Sequence, residues 1–336
     1  MTKRIGVFGS KTTTRFLIEN LLSLNVPIQA VVTLDAITAR KSGLADYVDL
    51  KDYCALNNIE IHIAQSYALD SREDRAFFES AALDICFVSG WQAIVPDSVL
   101  QSIAIGVFGM HGSALGLPSG RGHSPMNWAL IEGRKQFRTS LFKYNSRVDA
   151  GPIVDSHEFS ITDLDTIETL HFKNSLAMIL LIHRNLHRII EGSAHLQSQE
   201  GLTEPTYYPE RKPSDSLIDW SQNLMAVDRF IRAVAPPFNG AFTFLNNGPL
   251  LRIKNAQVFD FSGFNYESEV AGRVVQVFAN GKFLVKCNGG ILLVRDFECD
   301  VAPGRGDILG NGTSTLRMFK RNKDGNFDLP EGTSDS

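Results

Sequence analysis

The sequence predicts an α/β protein whose larger part is a doubly wound, mostly parallel sheet of Rossmann-like form, followed by a second, smaller β-rich domain. Three observations carry this. Short apolar runs alternate with amphipathic stretches through residue 113. The runs lack a polar face, as strands covered on both sides require. Past residue 240 the pattern shifts to short alternating strands punctuated by turn signals. With 336 residues the chain is long enough for two cores.

Taken in order, "RIGVFGS" reads as a buried strand and "KTTTRFLIENLLSLN" as a helix with Phe16, Leu17, Leu21 and Leu22 on its apolar face. "IQAVVTLD" is a second strand, "LKDYCALNN" a helix, "IEIHIA" a strand, "SREDRAFFESAA" a helix and "LDICFVSG" a strand. "AIGVFGMH" is a further strand that ends at His111, and its tip and that of the strand before it belong on one edge of the sheet, where such architectures bind ligands. "RTSLFKYNSRVDAGPIVDSHEFSI" gives a strand, a turn and a strand. "TIETLHFKNSLAMILLIHRNLHRIIEGS" gives a long helix with a Gly-Ser stop. The polar, proline-containing stretch 196–215 contains a linker, placed at 201–215, between a first domain of 1–200 and a β-rich one of 216–320. "DSLIDWSQNLMAVDRFIRAVA" opens the second domain as a helix. Strands follow at "GAFTFL", "PLLRIKNAQVF", "EVAGRVVQVF", "KFLVKCN" and "GGILLVRDFE", an OB-like barrel in outline. Residues 321–336 are polar and expected to be a flexible tail.

Composition narrows the function classes. The net charge of −4 offers no field for a polyanion, so no nucleic-acid partner is expected. Four cysteines, Cys54, Cys86, Cys287 and Cys299, are scattered without zinc spacing, so they read as reduced thiols and no metal is expected. No apolar run approaches a membrane span and the N-terminal stretch is too short for a signal segment, which predicts a cytoplasmic protein without a membrane partner. The first strand turn, "GVFGSKTT", has neither the G-x-G-x-x-G fingerprint nor a phosphate-binding loop, which argues against a nicotinamide cofactor.

Among eight histidines, His111 stands apart. It follows a central-strand run and precedes glycine and serine, where a cleft opens, so its imidazole is placed to act as a base once a partner fixes its tautomer. Asp149, in the turn "NSRVDAG", is a candidate partner, although a turn aspartate also serves to bond its own backbone.

The order "MHGS…P.GRG.SPMNWALIEG…TSLF…VDAGPIV" resembles the formyltransferase family that uses 10-formyltetrahydrofolate, which includes methionyl-tRNA formyltransferase and the sugar N-formyltransferases. That family shares Asn-x-His-Pro-Ser, Leu-Leu-Pro, Arg-Gly, a Pro followed by Trp-Ala, and Asp-x-Gly-x-Ile. Here His111 and Ser113, then Pro118, Arg121 and Gly122, then Pro125, Trp128 and Ala129, and finally Asp149, Gly151 and Ile153 fall on the pattern, with about two extra residues in the glycine loop. The second domain is similar too, through Ile218-Asp219-Trp220, Ile231-Arg232-Ala233 and Pro236-Pro237. Arg211, Pro213 and Asp215 lean toward members that formylate nucleotide-linked amino sugars.

The resemblance implies formyl transfer from a folate to an amine, with His111 and Asp149 as catalytic residues. It implies folate along Ser89, Gly90, Trp91, Gln92 and Ile94 and beside Arg121, Gly122 and Asp149, and substrate near Met110, Ser113, Arg211 and Asp215. Trp91 also reads as a structural ring. One departure matters: where the family carries asparagine, this chain has Gly109. That amide is taken to position the formyl oxygen, and loss of one oxyanion donor typically costs about 10² to 10³ in rate. A backbone N–H, a water, Ser89 or Asn127 takes its place, or transfer is altered or lost. The expected activity is N-formylation of a nucleotide-linked amino sugar for cell-surface polysaccharide. The alternatives are methionyl-tRNA formylation and a folate-binding homologue. The β domain is a possible dimer contact.

Overall fold

The computed structural model describes residues 3–262, 264–316 and 319–328. The chain divides into two compact units. One takes the described residues of Met1–Arg121, Arg138–Phe159 and Phe172–Pro205, and the other those of Gly122–Phe137, Ser160–His171 and Thr206–Ser336. The division differs from a single linker at 201–215. Segments 122–137 and 160–171 join the C-terminal unit because their side chains are anchored there. The Trp128 indole donates to the carbonyl of Pro209 (2.9 Å), and the Asn127 amide donates to that of Ala233 (2.7 Å).

In the N-terminal unit, strands β1 (Ile5–Phe8), β2 (Ile28–Thr33), β3 (Glu60–Ile63), β4 (Ile85–Val88) and β5 (Gly106–Ser113) pair in parallel in the order β3-β2-β1-β4-β5. Strands Gln136–Lys143 and Ile153–Ser160 complete a seven-stranded sheet. β1 and β4 are buried along their whole length, as expected of strands with helices on both faces. One core gathers Ile5, Val7, Leu17, Ile18, Val31, Phe87 and Phe108 with Leu181 and Ile182 of the helix Ile167–Ile190. The other gathers Phe8, Val32, Phe78, Cys86, Trp91 and Val107.

The helix Thr12–Ser23 lies where the apolar spacing puts it, although Leu17, Ile18 and Leu21 are its buried apolar residues, with Thr14 buried beside them, while Phe16 and Leu22 are half-buried. A six-residue helix, Ala36–Lys41, was not foreseen: only Ala39 of it is buried, so it leaves no apolar periodicity to read. His111 does not end its strand. β5 continues through Ser113 because Gln136–Lys143 pairs with it antiparallel, His111 opposite Ser140. Its parallel neighbour stops earlier, with Val88 opposite Gly109. His111 therefore stands past the tip of β4 while still held in a ladder on its other side.

In the C-terminal unit six antiparallel strands curl into a sheet in the order Val274–Val277, Phe283–Cys287, Gly290–Cys299, Leu250–Asp260, Ala241–Leu245 and Leu309–Gly310. A bridge between Arg273 and Ile308 joins its two edges, as in a barrel. The helix expected from residue 215 starts at Leu224, capped by the Asn223 side chain on the N–H of Ala226. The residues before it form a short turn at Pro213–Ser216 and an extended segment in which the Ile218 N–H donates to the carbonyl of Phe242. The expected loose tail is ordered in part, since Lys320–Arg321 pairs with Phe327–Asp328. The rest of the expected tail, 329–336, lies outside the described residues.

Candidate active site

β5 alternates its side chains, so Gly109, His111 and Ser113 share one face of the strand. His111 is 8% exposed. Its Nδ1 lies 3.2 Å from Oδ2 of Asp149, and its Nε2 lies 2.9 Å from the carbonyl oxygen of Gly120. Both neighbours are oxygen acceptors, so the two contacts are fully met only when each ring nitrogen carries a proton. A base function at Nε2 requires the Gly120 carbonyl to withdraw first.

Asp149 reaches His111 from a turn with unusual backbone. Its φ is +48°, in the left-handed region that most side chains avoid. Two features hold it there. Gly151 comes so close to the strand Gln136–Lys143 that a Cβ would lie 1.7 Å from the Lys143 carbonyl, so only glycine fits the Asp-x-Gly turn. The Gln199 amide donates from Nε2 to the carbonyls of Asp149 (2.9 Å) and Gly151 (2.6 Å) while its Oε1 accepts from Arg121 (2.8 Å). Gln199 was missed in the sequence because a single glutamine in a polar stretch carries no periodic signal. What brings it to the turn is the bridge of Ile153 to Gln197, two residues before it.

The glycine loop is tied down by Ser113, whose hydroxyl donates to the Ser119 carbonyl (2.9 Å) and accepts from the Leu115 N–H (3.1 Å). That hydroxyl is spent on the loop rather than held toward a substrate. Arg121 is buried and bound to Gln199, so through that amide it supports the Asp149 turn. Met110 faces away from His111 and packs on the core around Val7 and Leu181.

At the tip of β4, Ser89 is buried and its carbonyl accepts from the Thr14 hydroxyl. Gly90 follows with φ +76°. The Trp91 ring is buried, edge-on to Tyr67 at 4.9 Å, which gives it a packing function. Its Nε1 is nevertheless buried without a hydrogen-bond partner among the described residues. The Gln92 N–H donates to the Tyr67 hydroxyl (2.8 Å), and Ile94 is 61% exposed.

Four residues of the expected site belong to the C-terminal unit. Gly122 adopts φ +93° beside Tyr208. Arg211 lies over the Trp128 ring at 4.9 Å and donates to the carbonyl of Asp215, whose carboxylate accepts from the Lys212 N–H (2.7 Å). Both side chains are thus engaged in local packing and capping. Asn127, raised as a stand-in for the missing asparagine, spends its amide on Ala233.

The space at Gly109 is filled. A Cβ there would lie 2.4 Å from Cε1, 2.6 Å from the hydroxyl oxygen and 2.7 Å from Cζ of Tyr144. Nothing in the local sequence singles out Tyr144; the glycine is the signal, since a residue without a side chain in a bulky strand leaves room for another ring. Among the described residues no cluster of histidine, cysteine or carboxylate groups is able to hold a metal, and no helix is long and apolar enough to cross a membrane.

This geometry falls on the matched motifs of a known enzyme class. Residues 3–177 match the family described as formyl transferase, and residues 211–300 match the formyl transferase C-terminal domain. The chain belongs to the formyl transferase family, whose members move formyl groups. Among solved structures it is similar in fold to the N-formyltransferase from Helicobacter canadensis in complex with folinic acid and dTDP-3-aminofucose. That match has a TM-score of 0.62 and 16% identity, covering 88% of this chain and 100% of the other. It is also similar to WlaRD, a sugar 3N-formyl transferase, with a TM-score of 0.62, 16% identity and coverage of 88% and 97%. HypX from Aquifex aeolicus in complex with tetrahydrofolic acid gives a TM-score of 0.61 at 14% identity, over 88% of this chain and 44% of that one.

Proposed function

We propose that the chain transfers the formyl group of 10-formyltetrahydrofolate to the amino group of a nucleotide-linked amino sugar. The observation that carries this reading is the 3.2 Å contact of His111 with Asp149 at the family's motif positions. An amine attacking the formyl carbon forms a new C–N bond and must shed a proton. The folate nitrogen must gain one as its bond to carbon breaks. Once the Gly120 carbonyl withdraws from Nε2, His111 serves both needs, taking the amine proton at that nitrogen and returning it to the leaving nitrogen, while Asp149 holds the ring by Nδ1. The tip of β4 suits the folate, because the Nε1 of Trp91, without a partner among the described residues, lies beside the left-handed backbone of Gly90 in an apolar setting. The sugar class is supported by solved structures of similar fold, one described with dTDP-3-aminofucose and one with dTDP, and by the Arg211-x-Pro213-x-Asp215 pattern as a sequence match alone, since its side chains are engaged locally.

A second reading, folate binding without transfer, is favoured by Gly109. One assay separates them: incubation with 10-formyltetrahydrofolate and amino sugars linked to UDP or dTDP, beside methionine-charged initiator tRNA. Formylated nucleotide sugar supports the proposal, and folate binding with no turnover supports the second reading. Formylation of the tRNA alone sinks both.

A further inference from the structure

We propose that the Tyr144 hydroxyl donates the hydrogen bond to the formyl oxygen in this chain, the service that a side chain at position 109 does not perform. The inference rests on the formyl-transfer reading above. Gly109 and His111 are two residues apart on β5, so they address the same face of the strand. The hydroxyl oxygen of Tyr144 lies 2.6 Å from where a Cβ of residue 109 would stand. An asparagine amide atom lies ~2.4 Å from its own Cβ, two bonds away, so the phenol oxygen stands at about the radius at which such an amide would end.

Three features make it a usable donor. The ring is held, with the Tyr144 N–H bonded to the Val107 carbonyl (2.8 Å) and the ring stacked on Phe142 at 5.0 Å. Its hydroxyl makes no hydrogen bond among the described residues, so its proton is not already spent. Burial first, and the Asp149 charge second, push the phenol up from its ordinary range, so it remains protonated at neutral pH. A fixed neutral phenol aimed at a developing oxyanion needs no reorganisation when charge appears, which is what makes such donors effective.

The test compares tetrahydrofolate release from 10-formyltetrahydrofolate by wild type, Tyr144→Phe, Tyr144→Ala and the double variant Gly109→Asn, Tyr144→Ala. Acceptors are a dTDP-linked amino sugar and, separately, water, whose attack passes through the same tetrahedral oxyanion. Tyr144→Phe, which keeps the ring, is expected to lower kcat about 10² to 10³-fold with either acceptor while KM for the folate changes little. The double variant restores the amide in the vacated space and is expected to recover about tenfold or more over Tyr144→Ala. Full kcat in Tyr144→Phe overturns the donor assignment and leaves the formyl-transfer reading standing. A wild-type protein that releases no tetrahydrofolate with either acceptor overturns both.

Discussion

Replacing Gln199 tests how the Asp149 turn is held. Gln199→Ala removes three hydrogen bonds of 2.9, 2.6 and 2.8 Å from a buried side chain. It strands the Gly151 carbonyl and takes an acceptor from Arg121, and a buried polar group left unmet costs about 1–3 kcal/mol. The left-handed backbone of Asp149, φ +48°, stores roughly 1–2 kcal/mol that these bonds offset and that relaxation of the turn returns. Two unmet groups less that returned strain predict a loss of about 1–4 kcal/mol, which lowers Tm by about 2–16 °C for a unit of this size. Function should suffer beyond stability. With the turn released, the carboxylate no longer meets Nδ1 of His111, and a displacement of ~1 Å in a catalytic constellation costs up to about 10² in rate. Gln199→Glu sharpens the experiment, since it keeps an acceptor for Arg121 but sets a carboxylate oxygen against two carbonyls. Differential scanning calorimetry and kcat at a temperature where both variants are folded give the answer. A Gln199→Ala protein with Tm within about 1 °C of wild type and unchanged kcat refutes the reasoning.

Three further outcomes follow from the same contacts. Gly109→Ala should drive its methyl into the Tyr144 ring, atoms of which lie 2.4–2.7 Å from the new Cβ, and cost about 1–3 kcal/mol in urea unfolding. A midpoint equal to wild type means the ring does not fill that space. Ser113→Ala should free the loop 114–120, seen as faster amide exchange at Leu115 and its neighbours, whereas unchanged exchange means the hydroxyl does not restrain it. Burial alone would raise the Asp74 carboxyl, but hydrogen bonds from Ser71, His62 and the N–H groups of Gln65 and Ser66 outweigh it and hold the group below its ordinary value of 3.8. A carboxyl depressed by folding contributes stability that is present above its unfolded value and lost as pH falls through the lower folded value. Asp74→Asn should therefore be less stable at neutral pH and lose less of its Tm below about pH 4; parallel Tm curves for the two proteins contradict this.

The parallel sheet was legible because β1 and β4 carry no polar side chain that would break the run, a pattern that burial on both faces demands. The extended segment through Ile218 and Trp220 has an apolar spacing that mimics a helix, because both side chains enter the core, and the helix itself begins only after the Asn223 cap. The approach of Asp149 to His111 was legible through motif spacing. The strand's continuation to Ser113 was not, because it depends on a partner strand that is distant in sequence. Gln199 meets the Asp149 turn through backbone carbonyls and Tyr144 fills the space beside Gly109, and neither contact has a sequence period. Arg211 and Asp215 show the converse: a matching pattern whose side chains turn out to be engaged with Trp128 and Lys212.

The most direct measurement is single-turnover formyl transfer from 10-formyltetrahydrofolate by wild type, His111→Ala and Asp149→Ala, each shown by circular dichroism to be folded. With His111 moving the proton and Asp149 orienting it, the rate constant for the chemical step should fall about 10² to 10⁴-fold in His111→Ala and substantially in Asp149→Ala, with folate affinity largely kept. A folded His111→Ala or Asp149→Ala protein that transfers formyl at the wild-type rate would contradict the proton-transfer assignment at the centre of the proposed mechanism.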